Sequence, residues 1–102
     1  MITTNLPDWR MFEAMGDPNR LRLLKALPPP GGPSIGVTQI ANIIGITQPA
    51  ASKHLRKLED VGLAWSTRQG QWKTYWKNPE GLEKAHQTFL KIFQDDIQDI
   101  AS

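Results

Sequence analysis

Up to Gly62 the apolar residues recur at helical spacing of three and four; they then give way to short aromatic and β-branched runs, and from Pro79 helical spacing resumes. The first stretch predicts a short helix from about Asp8 to Met15 that buries Trp9, Phe12 and Met15. Asp17 can cap a second helix and Pro18 fits its first position, where a missing N–H is no loss; Leu21, Leu24 and Leu27 follow at helical spacing. Thr38 is placed to cap a third helix bearing Ile40, Ile43 and Ile44, and Gly45 to end it. A fourth helix starts almost at once. Thr47 caps it, Pro49 is tolerated in its first turn, Ala51, Leu55 and Leu58 form one apolar stripe, and Gly62 stops it.

The segments 63–68 and 72–77 flank Gln69-Gly70-Gln71 and read as a β-hairpin. Asn78 and Pro79 repeat the cap-plus-proline signal and open a last helix running to about Ile100, with Leu82, His86, Phe89, Phe93, Ile97 and Ile100 on one side. Leu90 and Ile92 widen that apolar side beyond a single stripe, which favours a partner helix over core packing alone. Trp9, Met11 and Phe12 could supply the facing surface. The run Pro28-Pro29-Pro30-Gly31-Gly32-Pro33 holds neither helix nor strand and reads as a surface loop. The fold class is therefore mostly α with a small hairpin, about five helices and a two-stranded wing, in one domain spanning residues 1–102. A helix, a glycine-containing turn, a second helix and then a hairpin is the order of a winged helix-turn-helix.

Charge adds a direction to this architecture. The whole chain carries only +2, but residues 46–78 hold six bases against two acids, whereas residues 79–102 hold two bases against five acids. On the fourth helix the stripe turns Ala51, Leu55 and Leu58 inward and leaves Pro49, Lys53, Arg56 and Lys57 outward, with Ser52 and His54 on the flanks. Such a helix fits a major groove about 12 Å wide. Thr47, Gln48 and Ser52 near its start can meet base edges, while Lys53, Arg56 and Lys57 suit phosphates. The hairpin tip offers Arg68, Gln69, Gln71 and Lys73 to a neighbouring groove or backbone. The expected partner is double-stranded DNA.

Other chemistries find little support. The chain has no Cys, so disulfides, thiolate metal sites and Cys nucleophiles are excluded. Its two His, His54 and His86, lie on different helices and in no Ser/His/Asp, phosphate-loop or HExxH pattern, so no catalytic residues, metal site or cofactor are expected. No run approaches a membrane span, and MITTNLPDWR has neither the basic start nor the apolar stretch of a secretory signal; a cytoplasmic protein without membrane partners is expected.

Gly16-Asp17-Pro18-Asn19-Arg20-Leu21-Arg22-Leu23-Leu24 resembles the "DPxRLxIL" opening of ArsR/SmtB-type repressors. Ile46-Thr47-Gln48-Pro49-Ala50-Ala51-Ser52-Lys53-His54-Leu55 with Leu58 and Gly62-Leu63 is similar to their "LSQxxxSxHLxxLxxxGL" recognition helix, and Arg68-Gln69-Gly70 with Tyr75 to their "RxGRxxxY" wing. The resemblance implies a homodimer held by its first and last helices that binds an inverted repeat in promoter DNA. It also shows departures. Where many members place a Cys pair, Ser34-Ile35-Gly36-Val37-Thr38 offers no thiolate; His86 is the only imidazole on the last helix and is expected to be packed or interfacial; and Gln71 stands where an Arg is usual. Any small-molecule or protein effector is unidentified. A second reading keeps the winged fold as a module for protein or RNA, with Trp72, Trp76 and Gln71 exposed; against it, Trp65, Trp72 and Trp76 are expected to pack the hairpin onto the helices.

Overall fold

Three side-chain caps fix helix starts. In the computed structural model, which describes residues 9 to 101, Asp17 Oδ1 accepts the Arg20 N–H at 3.0 Å, Thr47 Oγ1 accepts that of Ala50 at 3.3 Å and Asn78 Oδ1 that of Glu80 at 3.1 Å. The elements are α1 (Trp9–Met15), α2 (Pro18–Ala26), β1 (Ile35–Gly36), α3 (Val37–Ile44), α4 (Gln48–Asp60), β2 (Ala64–Gln69), β3 (Trp72–Lys77) and α5 (Pro79–Ala101). Two expectations, the helix start at Asp8 and the apolar side chain of Ile100, lie outside what is described.

Glycine stops the two middle helices. Gly62 takes φ +81, and the N–H groups of Gly62 and Leu63 return to the carbonyls of Glu59 and Leu58, which closes α4 and turns the chain into the wing. Five helices and an antiparallel wing are present as expected, but the sheet has a third strand. Its order is β1-β3-β2, with Ile35 opposite Tyr75 and Ser66 opposite Tyr75 from the other side. Because Ile35 and Gly36 belong to β1, the cap of α3 is Gly36, and Thr38 lies inside the helix instead of capping it. The Pro/Gly loop is pinned along β3: the Lys77 N–H donates to the Pro28 carbonyl at 2.8 Å and the Trp76 indole to that of Gly32 at 3.1 Å.

The core gathers Leu23, Leu27, Ile40, Leu55, Leu58, Leu63 and Tyr75, all fully buried where α2, α3 and α4 meet the sheet. Each such side chain contributes about 1.5–3 kcal/mol. Several helix faces differ from expectation. In α1 the buried residues are Met11 and Ala14, whereas Trp9 is 53% exposed and Phe12 and Met15 are half-buried. Seven residues make under two turns, too few for periodicity to choose between adjacent faces. Met11 is thus core and offers nothing to a partner. In α2 Leu23 takes the place expected for Leu21, which is exposed, and in α3 Ile43 is exposed while Ala41 is buried.

In α5 the side that meets the core is narrow. Its buried positions are the small residues Gly81, Ala85 and Thr88; Leu82 is partly buried at the head of a neighbouring stripe whose other members, His86, Phe89, Phe93 and Ile97, are exposed. Beyond Thr88 none of the described side chains is buried, and Leu90 and Ile92 are only partly covered. The helix is anchored by its first ten residues and the rest projects, in a molecule 49 × 26 × 23 Å. Among the described residues no helix is long and apolar enough to cross a membrane.

Candidate nucleic-acid interface

The outward side of α4 begins at its capped end. Thr47, Gln48 and Pro49 are exposed, Ser52 is half-buried, and Lys53 and Arg56 are exposed opposite the buried Ala51, Leu55 and Leu58. Among the described residues neither Lys53 nor Arg56 enters an ion pair. They border an open concavity of about 510 Å³ together with Arg20, His54, Lys57 and one acid, Asp60. A cationic surface of this kind, held rigid by a buried stripe behind it, raises the local concentration of a polyanion.

Two residues expected on this surface are turned toward α1 and α2. Lys57 Nζ lies 2.8 Å from Glu13 Oε1, and that hydrogen bond holds the Glu13 carboxyl below its ordinary range. His54 Nδ1 lies 3.5 Å from the Arg20 guanidinium. Arg20, which sequence reasoning did not single out, is the hub: its Nε donates to the Ala14 carbonyl at 2.6 Å, a second nitrogen meets the Glu13 carbonyl at 3.4 Å, and the Glu13 carboxylate is 3.6 Å away. It ties the end of α1 to α4. Its signal in the sequence is its place as the Arg of the Asp17-Pro18-Asn19-Arg20-Leu21 run, three residues after the cap, and that spacing does not name the carbonyls it reaches.

The wing presents Arg68, Gln69 and Gln71 exposed around a two-residue turn whose Gly70 takes φ +62. Lys73 faces inward instead. Its ammonium lies 3.0 Å from Glu59 Oε1 and 5.3 Å from the centre of the Tyr75 ring. The other oxygen of Glu59 accepts the Ser66 hydroxyl, so one carboxylate at the end of α4 clasps both wing strands. Burial opposes ionisation of Glu59, but the Ser66 and Lys73 hydrogen bonds outweigh it and keep the carboxyl below its ordinary range; the same contact overcomes burial to raise Lys73.

The tryptophans do not pack the hairpin onto the helices as expected. Trp65 and Trp72 are exposed, Trp72 by 70%, and Trp76 is half-buried against the Pro/Gly loop. Their strand positions, with Trp65 opposite Trp76 and Gln69 opposite Trp72, put them on the face of the hairpin away from Ser66, Lys73 and Tyr75. His86 is likewise unpacked within the chain and lies 3.6 Å from Glu83 on an exposed turn.

This architecture has close relatives. A family model described as a helix-turn-helix domain matches residues 15–64. The chain is 36% identical over 66 residues to the uncharacterized HTH-type transcriptional regulator MJ1325 of Methanocaldococcus jannaschii, a match covering 65% of this chain and 72% of that protein. It is 31% identical over 101 residues to the arsenic resistance transcriptional regulator ArsR2 of Pseudomonas putida, covering 99% of this chain and 83% of the relative. A crystal structure of a possible transcriptional regulator for arsenical resistance superposes with a TM-score of 0.74 at 25% identity, over 90% of this chain and 93% of the other. With its capped helix pair, third short strand and wing, the chain belongs to the ArsR family of winged helix-turn-helix transcriptional regulators.

Proposed function

We propose that the protein is a dimeric repressor that acts by binding alone, two copies placing their α4 helices in successive major grooves of an inverted repeat in promoter DNA. The observation that carries this is the free cationic surface of α4: Lys53 and Arg56 are exposed, unpaired among the described residues and backed by a rigid buried stripe. In this reading Thr47, Gln48, Pro49 and Ser52 meet base edges, Lys53 and Arg56 anchor phosphates, and Arg68, Gln69 and Gln71 reach the adjacent groove. His54, Lys57 and Lys73 hold the helix and wing in place through Arg20, Glu13 and Glu59.

The dimer rests on the projecting half of α5. Phe89, Phe93 and Ile97 are 43%, 43% and 41% exposed on one side, the two phenyl rings 5.1 Å apart, and Trp9 adds an exposed indole on α1. An apolar stripe of this length on an otherwise unsupported helix is best accounted for by a second copy, and a two-fold axis along it makes each copy cover the other's stripe. His86 and Leu90 then sit at the seam, with Phe12 and Leu82 at its edges.

The test is selection of bound molecules from a pool of random duplexes. The expected result is an inverted repeat whose half-site centres lie about 34 Å apart or a multiple of it. A pool without enrichment would contradict the proposal.

A further inference from the structure

The most exposed large apolar side chain of the wing is not at its base but next to its tip. Trp72 directly follows the turn residue Gln71 and is 70% exposed. It lines, with Gly36, Thr38, Gln39, Gln48 and Gln71, an open groove of about 360 Å³ between the wing and the starts of α3 and α4. Val37, Lys73 and Thr74 complete a lining that is more apolar than polar, and its one charge, Lys73, is turned to Glu59. Gln48, at the first position of α4, stands on one side of it and the indole on the other. A tryptophan this exposed gains little from the fold, since most of its area stays in water. Its surroundings are suited to reading a nucleic acid surface rather than to neutralising one.

We propose that Trp72 is a DNA-contacting residue of the wing, packing its indole against sugars and base edges of the minor groove beside each half-site. The inference rests on the proposed function and adds to it a contact of a different kind. Arg68 supplies charge near the tip, whereas Gln71 and Trp72 supply none, so the last residues of the wing bind through shape and apolar contact. Apolar side chains in a minor groove act as wedges against base steps, and such a contact neutralises no phosphate and so releases no counterion. The placement also explains why the indole lies beside Gln48: one residue enters the major groove while the other covers the edge of the neighbouring minor groove.

The salt dependence of binding separates this from a phosphate contact. Affinity for a selected duplex is measured across a salt series for the full chain and for Trp72→Ala, Trp72→Phe, Arg68→Ala and Trp65→Ala. Trp72→Ala is expected to weaken binding at least about ten-fold at every salt concentration, with the slope of log K against log salt unchanged. Trp72→Phe recovers much of the loss, and Trp65→Ala, at the far end of the hairpin, binds as the unaltered protein does. Arg68→Ala lowers the slope by about 2 for a dimer, one phosphate per subunit. Wild-type affinity for Trp72→Ala overturns the inference alone, as does a slope loss matching that of Arg68→Ala. Absence of duplex binding by the unaltered protein overturns the proposed function, and this inference with it. Unchanged circular dichroism and melting of Trp72→Ala, expected for so exposed a side chain, certify that the loss is one of contact.

Discussion

Gly81 in the first turn of α5 sits so close to Gly62 that a Cβ built on it would lie 1.9 Å from the Gly62 carbonyl oxygen. Gly62 is also the residue that closes α4, and its carbonyl accepts the Asn78 side-chain amide at 2.7 Å. The end of α4, the start of the wing and the start of α5 therefore meet at one backbone contact. The missing side chain of Gly81 makes that approach possible, and Ala85 and Thr88 are the next buried positions along the helix.

Gly81→Ala tests the contact because two effects oppose each other. In an exposed helix the change would stabilise by about 1 kcal/mol. Here the added methyl meets backbone, which cannot rotate aside, and overpacking of this kind costs about 1–3 kcal/mol or more. Net destabilisation in denaturant unfolding is expected, and an alanine variant as stable as the unaltered protein would show that the two elements do not touch.

Arg20 joins α1 to α4 through the Ala14 carbonyl, Glu13 and His54. Its side chain is only 16% exposed, and removing it leaves the carbonyl of the buried Ala14 without this donor. Arg20→Ala is expected to lower stability by about 1.5–3 kcal/mol, the range for hydrogen bonds to a charged group. Arg20→Lys restores the charge but not the planar fork and recovers only part of the loss. Chemical denaturation of the three proteins checks the order.

The clasp of Glu59 on Ser66 and Lys73 makes the wing sensitive to pH at both ends. The Glu59 carboxyl is held below its ordinary value, so its contribution is full above about pH 4.5 and is lost as pH falls through the lowered value. Lys73 is raised above its ordinary value, so its contribution is full below about pH 10.5 and is lost as pH rises through the raised value. Glu59→Gln is expected to flatten the acid limb of a melting-temperature profile. An acid limb identical in the two proteins would assign it to other carboxylates.

The exposed stripe on α5 predicts a dimer that one charge can break. Placing a carboxylate at Phe93, in contact with Phe89, removes an apolar side chain worth about 1.5–3 kcal/mol of burial and strands a charge. Phe93→Glu is expected to raise the dimer dissociation constant by about 100-fold or more, leaving a folded monomer, as sedimentation equilibrium would record. A monomeric unaltered protein at high concentration would remove the dimer from the account.

Which parts of this were legible in the sequence follows from where their signals lie. Asp17, Thr47 and Asn78 cap with groups two or three residues away, and Gly45 and Gly62 end helices locally, so those boundaries and the basic side of α4 could be read directly. The strand β1 could not, because two residues carry no period and its partners Tyr75 and Thr74 are forty residues distant. The apolar stripe of Phe89, Phe93 and Ile97 on α5 could be read from its spacing, but the core-facing side could not: it is made by Gly81, Ala85 and Thr88, and the close approach of Gly81 to the Gly62 backbone leaves smallness as its only signal. Likewise Lys57 and Lys73 read as free cations until Glu13 and Glu59 are placed beside them.

The central claim is that the surface of α4 bearing Lys53 and Arg56 lies against duplex DNA. It is tested most directly by the salt dependence of affinity for the protein and for the double variant Lys53→Ala, Arg56→Ala. Removing two phosphate contacts from each subunit of a dimer should reduce the magnitude of the log K against log salt slope by about 3 to 4. A slope that does not change, with the variant folded and dimeric, would place the DNA on another surface of the molecule.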